Sequence, residues 1–526
     1  MTADLLVGLD VGTSAVDACA FTLSGIPVAM ATVPLTVRYP RFGWAEQDAA
    51  MWMQAALSAL RGLSARLGRD ARAVAAIGLT GQCPSVTLAD DAGVPLTPGI
   101  IYQDNRATVE AARLARLLGP SPVARRAGMA PTSFHGAPKA MWLGAHQPEA
   151  RERRPWLAQP RDLVAHGLTG AWGTDATHAG CTLLYDLSTG AWADDWAAAL
   201  DLAWLRLPPI LPAAAPLGRL ARDVALQTGL PADLLVVMGA ADNFCADLGL
   251  GAIVPGLLGD SSGTSTCLDL TIVRPDVPGD TGDTGEPDAP RDDPALSLYA
   301  HFLPDLLFAS AGLNATGVTI AWAAAMLAGG DVTRLEAMAA SAPPVVDAPL
   351  LLPYLAGGER TDAAAVGAWH GLSLAHDSAR LARSVYEGLA FALRELIDGF
   401  RLVDLPIVEA RLAGGGSRGA FWNGLKADVW GLPVRACAHA DATALGAAML
   451  AGVAMGVYRD LGDATARGVR LGPEHAPDRT HAALYAELYG RWRALKARGG
   501  RPATEAAGAI TISGLTPGSD HVDGER

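Results

Sequence analysis

No CxxC pair, no HExxH and no GxxxxGK[ST] occurs in this chain. The missing P-loop lysine excludes a P-loop kinase, and the missing zinc spacings exclude the common zinc folds. His370 and His376 sit too far apart to share one helical face. Cys19, Cys83, Cys181, Cys245, Cys267 and Cys437 are scattered, so buried, reduced thiols in a cytoplasmic protein are the expectation. No lysine- and arginine-rich run exists, and the formal charge is −13, which argues against nucleic acid or an anionic membrane as partner. The longest uncharged stretch, "ATALGAAMLAGVAMGVY", is rich in alanine and glycine, so close helix packing is expected of it and no membrane span. Asp4 and Asp10 interrupt the first apolar run without a basic leader, so no cleaved secretory signal is expected.

Half of the 526 residues are hydrophobic and 18% are charged. A chain of that length and composition predicts two large domains with a cleft between them. Residues 5–37 read as three strands joined by turns at Gly12-Thr13-Ser14 and Ser24-Gly25, an antiparallel meander. Asp48 is positioned to cap a following helix, and "VAAIGLTGQ" returns as a buried strand. The stretch 105–235 mixes helices with proline-rich connections, reads as a cap on the first domain, and includes "LPPILPAAAPLG" as a surface crossing. A second meander starts near Leu257, interrupted by acidic "DVPGDTGDTGEPDAPRDDP" (276–294), which reads as a mobile insertion. Helices are expected at 312–329, 376–402, 417–430 and 441–456. The division is a first domain over 1–250, a second over 251–502, and a flexible tail over 503–526. The class is α/β.

The phrase "LDVGTSAVDACAF" at the start returns as "GDSSGTSTCLDL". A turn of small residues lets backbone N–H groups and a hydroxyl approach phosphate oxygens. Gly12, Thr13 and Ser14 supply one such turn, and Gly263, Thr264 and Ser265 a second. Either alone is an ordinary turn; two copies, beside Asp10 and Asp260, point to a phosphate chain held from both sides. Asp10, at the end of a buried strand, suits Mg²⁺ held through water. In "GAADNF", Asp242 follows a strand and opens a small-residue helix, where a carboxylate can take the proton of a substrate hydroxyl. "LAGGGSRGAFWNG" supplies Gly414, Gly416 and Gly419 before a helix. That pattern reads either as a Rossmann fingerprint with Asp441 as ribose partner or as an adenosine shelf beside Asn423. Gln82 in "TGQCPS", and Asp104 and Arg106 in "YQDNRA", can hydrogen-bond a polyol, with a salt bridge as the alternative for the latter two.

From "GLDVGTS" through "WAEQD", "GLTGQ", "YQDNRA", "APKAMWL", "GAADN", "DSSGTST" and "LAGGGSRGAFWNGLKAD" to "ATALGAAMLAG", the chain resembles the FGGY family of carbohydrate kinases, most closely its xylulokinase-like members. The resemblance implies two RNase-H-like domains of the actin and hexokinase kind flanking a cleft, with Mg-ATP and a sugar or polyol as substrates. It implies Asp242 as catalytic base, and Asp10, Gly12, Thr13 and Ser14 as the first phosphate motif. Gly263, Thr264 and Ser265 would be the second, Gly415, Gly416 and Asn423 the adenosine site, and Gln82, Asp104 and Asn243 sugar contacts, with Cys83 and Arg106 in the same loops. Asp17 stands where those proteins carry a basic residue, and Cys83-Pro84 where they carry Met-His. D-Xylulose is the leading acceptor, with a pentitol, tetritol or glycerol as alternatives. A non-catalytic sugar or nucleotide sensor and a Rossmann oxidoreductase stay open as rival readings, as does the oligomeric state, a homodimer included.

Overall fold

Strands covered on both faces read as continuous apolar runs, and such a run begins the chain. The computed structural model describes residues 5–274, 296–355, 359, 365–402, 405–438 and 441–499. The acidic segment 276–294 and the tail 503–526 lie outside the described residues. β1 (Leu5–Val11), β2 (Ala15–Thr22) and β3 (Pro27–Pro34) form the meander. α1 (Ala50–Leu67) follows, burying Trp52, Ala56, Leu60, Leu63 and Leu67 along one stripe. Asp48 lies one residue ahead of the cap position, yet its Oδ1 accepts the Ala50 N–H at 3.1 Å. β4 (Val74–Gly81) returns parallel to β1.

The middle stretch includes α2 (Gly136–His146) and α3 (Pro160–Thr169) and does more than cover the first lobe. Its core, from Val86, Leu114, Met129 and Leu183, also takes in Tyr299 and Phe308 from beyond residue 250. Part of the proline-rich crossing is an edge strand, β5 (Pro216–Arg219), because an edge tolerates a residue without an N–H. β6 (Leu235–Ala241) completes a sheet ordered β5-β6-β4-β1-β2-β3.

α4 (Asp242–Leu250) leads into the second sheet. Its strands are β7 (Leu257–Ser262), β8 (Thr266–Val273), β9 (Ser297–Ala300), β10 (Leu306–Leu313), β11 (Glu409–Ala413), β12 (Val434–Cys437) and β13 (Leu471–His475). They are ordered β9-β10-β8-β7-β11-β12-β13. In each sheet a three-stranded antiparallel meander continues from its first strand into two parallel strands, so β3-β2-β1-β4-β6 corresponds to β10-β8-β7-β11-β12. Both Gly-Thr-Ser turns join the first and second strands of their meander. The second lobe's helices include α5 (Gly317–Leu327), α6 (Val332–Ser341), α7 (Ser378–Leu402), α8 (Ala420–Trp430), α9 (Ala442–Ala454) and α10 (Ala482–Gly499). α5 starts later than the sequence suggests because Gly312 and Leu313 finish β10. α6 and α10 are additional.

α9 is the alanine- and glycine-rich run, and it packs at backbone distance. A methyl on Gly78 of β4 would fall 1.8 Å from the Ala447 carbonyl oxygen of α9, and one on Gly446 would fall 1.9 Å from Cys245 O of α4. Leu6, Ala76, Val237, Cys245 and Leu248 share one buried cluster with Ala444, Leu445 and Ala448. A helix from the second lobe thus closes the underside of the first. Among the described residues, no helix is long and apolar enough to cross a membrane.

Overpacking of this kind costs about 1–3 kcal/mol and more against rigid backbone. Gly78→Ala is therefore expected to lower the melting temperature by several degrees at least, whereas Gly490→Ala, at an exposed position of α10 with nothing within 4 Å, raises it slightly by removing helix-interior glycine. Equal melting of the two variants would show that α9 is free to move off β4.

Candidate active site

The first turn is held from behind by neutral amides. Gln82 Nε2 donates to Gly12 O at 3.2 Å and to Gln47 Oε1 at 2.8 Å, Thr13 Oγ1 donates to Gln82 Oε1 at 3.2 Å, and Gln47 Nε2 donates to Thr13 O at 2.7 Å. Gly12, Thr13 and Ser14 are thereby presented to a cleft that also exposes Asp10, Asp17, Asp242, Asn243, Gly263, Thr264 and Ser265. The two turns face one another across it.

A buried chain fixes the second turn. Lys426 Nζ and Asp260 Oδ2 pair at 2.5 Å with both side chains fully buried, Ser262 Oγ donates to Asp260 Oδ1 at 2.5 Å, and Ser262, Thr266 and Thr316 continue the line at 3.0 and 2.9 Å. The N–H groups of Thr316, Gly317 and Val318, opening α5, converge on Thr264 O. Asp260 is thus committed to Lys426 and is no counterpart of Asp10.

Asp242 is the first residue of α4, where the helix dipole favours a carboxylate, and its Oδ1 accepts the Asn243 N–H at 2.8 Å. Asn243 Nδ2 donates to Asp269 Oδ2 at 3.0 Å, tying α4 to β8. Beyond the second turn the cleft opens past Ala413 and Gly414 onto exposed Gly415. Asn423 is buried beneath this shelf: Nδ2 donates to Ser417 O at 2.7 Å, so its part is to hold the loop. Asp441 caps α9 through the Ala444 N–H at 2.9 Å and lies near Asp10. β11 belongs to a sheet ordered like the first, which overturns the Rossmann reading.

Residues 5–249 match the N-terminal domain of the FGGY family of carbohydrate kinases, and residues 261–455 match its C-terminal domain. The chain belongs to the FGGY family of carbohydrate kinases. The solved xylulose kinase from Rhodospirillum rubrum is 30% identical with a TM-score of 0.81, covering 94% of this chain and 98% of that one. The xylulose kinase of Escherichia coli is 29% identical over 91% of this chain and 96% of its own length. The glycerol kinase of Leptothrix cholodnii is 30% identical over 87% and 92%. The protein is accordingly an ATP-using phosphotransferase with an alcohol acceptor, on the actin- and hexokinase-like two-domain fold.

In this FGGY kinase the sugar end of the cleft departs from what the sequence suggests. Gln82 is fully buried and spent on the first turn. Asp104 is fully buried, accepting the Ala45 N–H at 2.5 Å and pairing with Arg106 at 2.7 Å. Arg106 also pairs with Glu46 at 2.7 Å and lies 3.7 Å from the Trp44 ring centre and 4.9 Å from that of Trp142. These two residues form a buried ion pair that shapes the loop, and the cleft wall is instead Cys83, Pro84, Tyr102, Phe134, Cys181, Phe244, Cys267 and Tyr299. Tyr102 stands two residues from Asp104 in the motif already singled out; Phe134, Cys181 and Tyr299 carry no local signal. Cys83, Cys267 and Cys437 are only half-buried, contrary to the expectation for the thiols. Lys139, fully buried, ties the wall together by donating to Pro84 O, Ile101 O and Phe134 O at 3.0, 2.9 and 2.8 Å.

The fit of a divalent cation follows from the floor of the cleft. Burial raises the Asp10 pKa well above the usual carboxylate range, and Asp242, Asp441 and Asp17 add to this. Asp10 Oδ1 is buried without a hydrogen-bond partner. Among the described residues no group of three or more histidine, cysteine or acidic side chains could hold a metal. One orphaned carboxylate in a cleft with two Gly-Thr-Ser turns suits Mg²⁺, which takes most of its ligands from phosphates and water.

Asp10→Asn removes a carboxylate that its surroundings disfavour. It is expected to melt higher than the wild type without ligands while kcat falls by roughly 10²-fold or more; a lower melting temperature would mean that the Asp10 charge is compensated within the protein. For Lys139, burial pushes the pKa down to about 7, Asp104 opposing and Arg106 adding to it. The folded state therefore binds fewer protons than the unfolded chain from about pH 7 up to the ordinary lysine range of about 10.4, and stability contributed by this group grows as pH rises through that window. The melting-temperature gap between the wild type and Lys139→Met should widen from pH 6 to pH 9, and KM for the acceptor should rise more than kcat falls. A gap that narrows would overturn this account of Lys139.

Proposed function

We propose that this kinase transfers the γ-phosphoryl group of ATP to a hydroxyl of a ketopentose, D-xylulose first among them. The single observation that supports it most is the placement of Asp242 at the start of α4, in one cleft with both Gly-Thr-Ser turns and Asp10. The acceptor hydroxyl is held at the sugar end, and Asp242 takes its proton as the oxygen attacks the γ-phosphorus. Gly12, Thr13 and Ser14 on one side and Gly263, Thr264 and Ser265 on the other hold phosphate oxygens with backbone N–H groups and hydroxyls. Asp10 is the residue to hold Mg²⁺ through water; when bound, that cation neutralises phosphate charge. Gly415 and Gly416 form the shelf for adenosine, with Asn423 beneath it. Asn243 positions the acceptor beside Asp242.

The ketopentose is taken from the relatives named xylulose kinase. A smaller polyol such as glycerol is the second reading. It is favoured by a specific feature: the wall at Cys83, Pro84 and Phe134 offers few strong donors to a sugar's hydroxyls. The sensor reading would rest on Asp17, Cys83 and Pro84; that Asp10, Asp242 and both Gly-Thr-Ser turns line one cleft supports transfer over binding alone. The division at residue 250 belongs to this proposal, the first lobe carrying the sugar end and the second the nucleotide shelf. A cytoplasmic setting, where ATP is available, belongs to it as well.

ADP release measured with Mg-ATP against ketopentoses, pentitols, tetritols and glycerol tests the acceptor, and Asp242→Asn tests the base. A general base contributes about 10²–10⁴-fold, so kcat is expected to fall by that factor with ADP binding unchanged. Near-full turnover of the variant would remove Asp242 from the role.

A further inference from the structure

The thiols of Cys83 and Cys181 meet at the sugar end of the cleft. Their sulfur atoms are 3.2 Å apart, although the residues are 98 positions apart in the chain. Both line the cleft, Cys83 half-buried and Cys181 buried behind it. Cys181 follows the short helical turn Ala176–Gly180, and its Sγ also lies 3.2 Å from Thr177 O as a donor. Two sulfurs already in van der Waals contact are about 1.2 Å farther apart than the ~2.0 Å of a disulfide bond.

We propose that Cys83 and Cys181 are a modification site: hydrogen peroxide converts them to a disulfide that reversibly closes the sugar end of the cleft. Its effect on activity rests on the kinase reading above; the chemistry does not. The half-exposed Cys83 attacks the peroxide as thiolate, breaking the O–O bond and giving a sulfenic acid and hydroxide, which takes up the proton the thiol released and becomes the first water. The Cys181 thiolate then attacks the Cys83 sulfur, forming the S–S bond and expelling hydroxide, which takes a proton and leaves as the second water. Two thiols lose two electrons in all, and one peroxide becomes two waters. Contact with Cys181, burial and the charge of Asp242 hold the Cys83 thiol well above its usual range. Thiolate is therefore scarce at neutral pH, and the pair responds to a bolus of peroxide rather than to traces.

The site of the bond explains what it would do. Cys83 adjoins Gln82, which supports the first phosphate turn, and Pro84, whose carbonyl is held by Lys139. A bond from Cys83 to the segment after Ala176–Gly180 locks that loop in place and fixes both sulfurs where the acceptor enters.

Peptide mapping of the full chain under non-reducing conditions, after peroxide treatment with and without saturating acceptor sugar, tests this directly. The expected result is a Cys83–Cys181 linked peptide two hydrogens lighter than its parts. It should be slowed by the sugar, accompanied by loss of sugar-dependent ADP release, and reversed by dithiothreitol. Cys181→Ala and Cys181→Ser, each compared with its own untreated activity, should show no dithiothreitol-reversible loss; Cys267→Ala, compared with its own untreated activity, should keep that loss. Oxidation of Cys83 without the linked peptide, or its pairing with Cys267 instead, overturns the proposal. A linked peptide in a protein that releases ADP with no acceptor would leave the thiol pair standing and sink the kinase reading, so the two failures are distinguishable.

Discussion

Backbone contact between α9 and the first lobe's sheet is the constraint on which the site depends. α9 enters from the second lobe, yet its Ala447 carbonyl sits where any side chain on Gly78 would be, and its Gly446 lets α4 approach equally closely. α4 begins with Asp242, and α9 is capped by Asp441 within electrostatic reach of Asp10. The two helices therefore set the separation of Asp242 from the Gly12-Thr13-Ser14 turn, and they do so with alanine and glycine, whose contacts leave little room for adjustment. A core of larger side chains would bury more apolar area, but it would hold these backbones farther apart.

What strands and helices together bring to the cleft floor is negative charge. Asp242, Asp441 and Asp17 all act on Asp10, which is buried with an unpartnered oxygen. Lys426, fully buried in the second lobe, is spent on Asp260. A floor of this kind is stabilised by what binds there, so occupancy and stability are linked, and residues that would relieve the strain in the empty protein would do so at the expense of turnover.

Local features were legible in the sequence and tertiary commitments were not. The strand-turn-strand phrase carrying Gly12, Thr13 and Ser14, its repeat at Gly263, and Asp242 between a strand and a helix are each contained in about ten residues, and the structure places all of them on one cleft. Gln82, Asp104 and Arg106 have the right chemistry for a polyol, but their partners, Thr13, Ala45, Glu46 and Trp44, lie tens of residues away and claim them first. Phe134, Cys181 and Tyr299 reach the wall only because the middle stretch folds onto the second lobe. No periodicity in their own segments encodes that.

The two Gly-Thr-Ser turns, alike in sequence, are anchored by opposite chemistry, and this bears on how substrates held as proposed would be coupled. The second turn rests on a dry ion pair and a line of hydroxyls, with three helix N–H groups on the Thr264 carbonyl, so displacing it would expose a buried charge. The first turn rests on Gln47 and Gln82, neutral amides whose hydrogen bonds each contribute only about 0.5–1.5 kcal/mol. Gln82 is covalently next to Cys83, in the wall of the sugar end, and Lys139 ties the same loop to Tyr102's neighbour Ile101 and to Phe134. An acceptor pressing on that wall therefore bears on the weaker-held turn and leaves the stronger one fixed. Under the proposed function, phosphates held between the turns would meet one turn anchored by a buried ion pair and one anchored by neutral amides next to the acceptor wall, which couples phosphate positioning to the acceptor rather than to stray water.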